Sequence, residues 1–444
     1  MSSTSDKSAA TPSSSGESAG DAPTVPQQAE HVTVSVIDTR EAYLDAVASL
    51  TAGNGPIAID AERASGFRYS QRAYLIQIFR RGAGTFLFDP PAIGSFAELN
   101  DALAAEEWIL HAASQDLTCL REVGIDPKRL FDTELGARLA GLPRVGLGTV
   151  VEDLLGIHLA KEFSAADWST RPLPQAWLVY AALDVELLVD LREVLGALLD
   201  DQGKGEIARE EFAAVLGRDF RIVREQPWRR LSGLHSVRGA RGLAVARELW
   251  QARDEYAQET DTAPGRLVPD SALVAAARTL PATKRDLVAM REFTGRASRT
   301  QLDRWWDAIQ VGMTTTDLPV LRAPTDTMPP PRAWADRNPE ADRRLKAARV
   351  AVTAKSAELN IPVENLLTPE LLRRLAWSPP NPMDVGTVAD SLTEMGARRW
   401  QVDATAEPIA AAFVASTDPD FLAEPSEPFV DSAQTIESVA TDES

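Results

Sequence analysis

The chain has 444 residues, 44% of them apolar, and a formal net charge of −19. That length exceeds one ordinary core and implies several domains; no apolar run is long enough for a membrane span, and the Ser/Thr/Ala-rich N-terminus lacks the basic start and apolar stretch of a secretory signal. A single cysteine, Cys119, excludes an intramolecular disulfide and fits a reducing cytoplasm.

Residues 1–30 are rich in Ser, Ala and Pro and poor in aromatics, the composition of a disordered tail. Val32, Val34 and Val36 then alternate with polar neighbours as in a half-buried strand, and Asp38 or Thr39 can cap the helix that follows. Strands are expected at Ile57 to Ala61, Ala73 to Phe79, Thr85 to Phe88 and Trp108 to Leu110. Ser95 and Glu98 have capping-box spacing, and Ser114 can cap a helix carrying Asp116. From about Asp132 the pattern is helical, with one long segment from Pro174 to Asp201. Strands followed by helices indicate an α/β domain, a mixed sheet with flanking helices, over 31–217.

A basic stretch, 218–238, follows and extends to Arg247. Arg229, Arg230, Arg238 and Arg241 are the candidates in it for contact with a nucleic-acid backbone; interdomain salt bridges are the other use of such a stripe. An all-helical unit is expected over 239–319, where Asp270 or Ser271 can cap a helix. A Pro-rich linker spans 320–332, and a second helical unit of similar layout spans 333–416. The segment 417–444 carries eight acidic residues and no Lys or Arg, and reads as a disordered acidic tail. Much of the net charge therefore lies in the tails, so acidity does not exclude a polyanionic partner.

Three short acidic patches carry the chemistry: Ile57 to Glu62, His111 to Asp116 and Tyr180 to Asp184. Asp60 and Glu62 share one face of a strand, and Tyr180 and Asp184 share one face of a helix. Brought together with Asp116, the four carboxylates repel one another unless cations neutralise them. Oxygen donors without a Cys/His cluster suit two hard divalent ions, Mg2+ or Mn2+, which would make a phosphodiester-cleaving site. Asp60 would bridge the ions, Glu62 and Asp184 would complete the site of the attacking water, and Asp116 would hold the second ion. Tyr180 would orient the water. Phe67 and Tyr69 can stack on a terminal base or fill their own loop. Gln77 can contact substrate or bond to buried backbone. His111, Cys119 and the pair Trp305–Trp306 read as structural.

The ordered set resembles the DEDD superfamily of 3′→5′ exonucleases, in its tyrosine-bearing branch. Asp167 to Leu173 (Asp-Trp-Ser-Thr-Arg-Pro-Leu) and Leu75 to Ile78 (Leu-Ile-Gln-Ile) make it similar to the ribonuclease D family. Leu249 to Asp254 with Val268-Pro269-Asp270 resembles an HRDC domain. Asn360 to Pro362 and Leu366 to Pro369 are similar to that family's second HRDC-like domain. The resemblance implies a ribonuclease H-like mixed sheet followed by two all-helical HRDC-like domains, with disordered termini. It implies an enzyme, a hydrolase that trims RNA 3′ ends of the tRNA-precursor type and releases nucleoside 5′-monophosphates, in the cytoplasm, away from membranes and as a monomer. A 3′→5′ DNA exonuclease and a non-catalytic nucleic-acid-binding scaffold are the rival readings.

Overall fold

Short apolar runs in the first third of the chain form six strands: β1 (Val36–Ile37), β2 (Asn54–Arg63), β3 (Ala73–Arg81), β4 (Gly84–Phe88), β5 (Trp108–Leu110) and β6 (Leu130–Asp132). They make one mixed sheet in the order β1-β4-β3-β2-β5-β6. The β2–β3–β4 ribbon is antiparallel, and β1, β5 and β6 join in parallel. The computed structural model describes residues 35–159, 163, 165–221, 224–321 and 328–418. Val32, Val34, the tail 1–30 and the acidic segment beyond 418 lie outside them.

Local chemistry explains most boundaries and corrects some expectations. Thr39 caps the helix Arg40–Ala52, accepting from the Ala42 N–H. The Ser95–Glu98 capping box does not form, because the helix begins at Ala97 and Glu98 pairs with Arg40. Ser114 is not a cap either; it sits within a 3-10 turn, Ala113–Gln115, that precedes the helix Leu117–Glu122. Strand β6 was not expected, since three buried residues show no alternation. The long segment divides at Leu187 into the helices Gln175–Glu186 and Leu188–Asp201. Asp270 and Ser271 do not cap their helix: Pro269 holds that position, and the Asp270 carboxylate takes Arg253 and the Ser232 N–H instead.

The two helical units repeat a layout. The helix Gly239–Thr260 ends at Asp261 and the helix Pro339–Leu359 at Asn360, both residues in the left-handed conformation. A four-residue helix follows each, Pro264–Leu267 and Val363–Leu366, then a longer one, Asp270–Thr279 and Pro369–Trp377. Their cores differ in ownership. The first unit packs around its own Leu249, Leu273, Trp305 and Ile309. The second packs Trp334, Leu345 and Phe413 into a core continuous with that of the sheet domain. Trp305 is fully buried, with its indole N–H on the Ala297 carbonyl, so its role is structural, as expected. Among the described residues no helix is long and apolar enough to cross a membrane.

Candidate active site

Alternation along β2 turns Asp60 and Glu62 to the same side of the sheet. The helix Gln175–Glu186 crosses that side and presents Tyr180 and Asp184 one turn apart. Carboxylate oxygens of Asp60, Glu62 and Asp184 lie within 4.8 Å of one another. Asp116, buried at the turn after β5, lines the same cavity of 430 Å³, as do Tyr180, Arg63, His111 and Gln115. The structure therefore brings all five motif residues together. Three convergent carboxylates without nitrogen or sulfur ligands fit a hard divalent cation. A larger cavity, 710 Å³, lies in the last helical unit between Trp334 and Met395. Its Glu370 is paired with Arg373 and Arg374, so no comparable acid cluster stands there.

Without ions the acids are pushed above the ordinary carboxylate range. Burial, then the charges of Asp60, Asp184 and Asp116, push Glu62 up to about 10, with Arg63 opposing. Burial and then Asp60 raise Asp184 to about 8, against a hydrogen bond from the Tyr180 phenol. Burial raises Asp60 and Asp116 as well. Tyr180 is also shifted upward, by burial and by Asp184 and Glu62, so the phenol stays protonated. It donates and is no base.

Several buried groups support the acids from outside the motifs. Asp132 is buried and accepts from the backbone N–H groups of Ala112 and Ala113 (3.1 and 2.9 Å) and of Glu134 and Leu135 (3.0 and 3.1 Å). It thereby fixes the turn that leads to Asp116. The Asp167–Leu173 segment braces the tyrosine helix: Trp168 is fully buried against Trp177, and Arg171 binds Asp89 and the Tyr74 carbonyl. Burial holds the His111 ring near pKa 4, hence neutral, and Thr133 Oγ1 meets it at 2.9 Å. Cys119 is buried, its thiol on the Asp116 carbonyl, and burial lifts its pKa to about 12.

The other candidates lie elsewhere than the cavity. Gln77 is fully buried opposite Asp60 across the β2–β3 ladder. Its Nε2 donates to Asp60 Oδ2 at 3.1 Å, so it holds a carboxylate from behind and does not reach substrate. Phe67 and Tyr69 belong to the seam with the first helical unit. Arg266 lies 4.0 Å over the Phe67 ring, while Tyr69 donates to Asp254 and accepts from Gln258, each at 3.1 Å. Rings engaged this way, outside the cavity, are not free platforms for a base. Arg229 lies over Trp228 and binds the Val320 carbonyl, and Arg241 binds the carbonyls of Gly312 and Thr315. Both stitch their own unit together. Arg230 and Arg238 are exposed.

Three family models match separate stretches of the chain. Residues 34–200 match the family model of a 3′-5′ exonuclease, 242–309 an HRDC domain, and 327–413 a 3′ to 5′ exonuclease C-terminal domain. The ribonuclease D of Granulibacter bethesdensis is 32% identical over 60% of this chain and 67% of its own. That of Jannaschia sp. is 32% identical over 57% of this chain, and the match spans 64% of that relative's length. Among solved structures, a protein from Bifidobacterium adolescentis is similar with a TM-score of 0.80 and 39% identity, covering 86% of this chain and 97% of that one. Escherichia coli RNase D, an exoribonuclease involved in structured RNA processing, is similar with a TM-score of 0.61 and 26% identity, covering 78% and 92%. The chain belongs to the ribonuclease D family of 3′→5′ exoribonucleases.

Proposed function

We propose that this protein trims RNA from the 3′ end, one nucleotide at a time, by hydrolysis at the cavity between β2 and the helix Gln175–Glu186. The observation that carries the reading is the convergence of Asp60, Glu62 and Asp184 within 4.8 Å, beside a buried Asp116. These four acids would hold two divalent cations, Mg2+ or Mn2+. Such ions acidify water and neutralise the charge that develops at the leaving oxygen. Tyr180, kept protonated, orients the attacking water. The water oxygen bonds to phosphorus, and the bond to the 3′ oxygen of the preceding nucleotide breaks. That oxygen takes up a proton, leaving a nucleoside 5′-monophosphate and an RNA one residue shorter.

We take the domains as 31–217 for the nuclease, 239–319 for an HRDC unit and 333–416 for a second HRDC-like unit. The exposed Arg230 and Arg238 would meet the RNA backbone at the edge of the first unit. Structured RNAs with short 3′ extensions, of the tRNA-precursor type, fit a recessed site beside two helical modules. The protein would act as a monomer in the cytoplasm. The test is a 5′-labelled RNA and a matched DNA, each with Mg2+, Mn2+ or chelator, for the wild type and Asp60→Ala. A ladder shortening from the 3′ end of RNA, abolished by chelator and by the substitution, is expected. Faster shortening of DNA would replace the RNA reading, and inactivity with both metals would favour a binding scaffold.

A further inference from the structure

We propose that Arg63 is the phosphate-binding residue of this cavity, a contact that rests on the nuclease reading above. Its guanidinium would take a non-bridging oxygen of the phosphodiester at the RNA 3′ end, and then the 5′-phosphate of the released mononucleotide.

Three observations point there. The first is backbone geometry. On an unbroken strand Arg63 would project away from the face that carries Asp60 and Glu62. The β2–β3 register breaks between Glu62, opposite Leu75, and Arg63, opposite Ala73, so that Tyr74 is passed over. Irregularities of this kind re-aim side chains, and Arg63 lines the same cavity as the four acids.

The second is unmet bonding capacity. The Arg63 side chain is 27% exposed, and its nearest anion is Asp116, with Nε to Oδ1 at 3.8 Å. That is an ion pair without a hydrogen bond. Among the described residues the guanidinium makes no hydrogen bond, although it has five donors in a planar fork. Other arginines of this domain are spent on protein oxygens: Arg80 on the carbonyls of Leu50 and Gly55, Arg171 on Asp89 and the Tyr74 carbonyl, Arg192 on Glu107.

The third is charge. Arg63 is a cation in a cavity lined by four carboxylates, and it pairs with one of them, Asp116. Cations held by those acids would release it from that duty. A phosphate is then the ligand whose oxygens match the fork.

The experiment compares wild type, R63A and R63K as full-length proteins. Calorimetry in Mg2+ measures binding of 5′-AMP and of adenosine, which differ only in the phosphate. Single-turnover trimming of 5′-labelled RNA is followed in parallel. Wild type should bind 5′-AMP more tightly than adenosine. R63A should lose about tenfold in 5′-AMP affinity with adenosine unchanged, and about 100-fold in rate, the usual loss for one donor to a developing anion. R63K should recover only part, because a point charge lacks the fork. Free guanidinium ion should rescue R63A, a response that a misfolded variant would not give. If 5′-AMP and adenosine bind wild type equally, or R63A within twofold of wild type, Arg63 is only a counter-charge and the inference is wrong. The nucleotide arm needs no turnover. A wild type that binds 5′-AMP through Arg63 but leaves RNA intact would therefore overturn the nuclease reading and keep the phosphate contact.

Discussion

Asp60 is held before any ligand arrives. Gln77 grips it from the neighbouring strand through its amide nitrogen, and its amide oxygen, buried, has no partner among the described residues. Burial and mutual repulsion keep the acids around Asp60 protonated well above the ordinary carboxylate range. This has a consequence for stability. A carboxyl whose pKa is raised by folding binds its proton more tightly in the native state, so its contribution is full below the unfolded pKa. That contribution is lost as pH rises, through about 8 for Asp184 and about 10 for Glu62. Metal-free protein should therefore melt at a lower temperature near about pH 9 than near about pH 6, and Mg2+ should raise the melting temperature more at the higher pH. Scanning calorimetry with chelator and with Mg2+ checks both; an Mg2+ effect independent of pH would mean the cluster does not take the ion. Counting along a strand and a helix paired Asp60 with Glu62 and Tyr180 with Asp184, whereas Asp116 was picked out by the ordered set and its family resemblance and stands at the turn before its helix, not within one capped by Ser114. Asp132 was not legible, since an Asp ahead of a helix reads as an ordinary cap; only the fold shows it also holding the Ala112–Ala113 turn.

Loop 63–72 and the helix Gly239–Thr260 meet along a polar seam. Asp261, just past that helix, accepts from the Ser70 N–H and the Tyr74 hydroxyl, both at 2.9 Å, and pairs with Arg72. Arg266 adds its contact with Phe67 and a hydrogen bond to the Gly66 carbonyl at 2.7 Å. The sequence left Phe67 and Tyr69 open between stacking on a terminal base and filling their own loop, and the seam is a third use for both. Their true partners lie far along the chain, 185 residues away in the case of Tyr69 and Asp254, and no local pattern signals them. The seam is the main tie visible between loop 63–72 and the first helical unit. Asp261→Ala removes the acceptor for three hydrogen bonds, from Ser70, Tyr74 and Arg72, at a cost of about 1–3 kcal/mol. The expected result is a looser first helical unit, seen as faster proteolysis near residues 218–238 with the sheet domain's own stability unchanged. Wild-type protection in the variant would show that the apolar contacts alone hold the seam.

The two helical units differ in how they join the whole. The first keeps a core of its own, whereas the second completes that of the sheet domain. Near this junction Glu211, itself buried, takes Arg398 in a bidentate pair at 2.6 and 2.8 Å and the Trp400 indole N–H at 2.7 Å. Lys204 bridges the carbonyls of Leu139 and Asn360. Gly141 has φ +80°, and a Cβ there would collide with the Asn360 side chain, so the close approach requires glycine. The similar layout of the two units was readable from their helix patterns. Which of them shares a core was not, because apolar stripes do not name their partner. A shared core makes the sheet domain and the last unit one cooperative body, while the first helical unit can unfold by itself. Calorimetry should then show two transitions. Glu211→Ala strands a guanidinium and an indole donor at the junction and should destabilise the larger transition by about 3–5 kcal/mol. The smaller transition should not move. If Glu211→Ala instead split the larger transition in two, the last unit would be a separate body docked on the nuclease, and its contribution to stability would lie in that ion pair and not in the continuous apolar core.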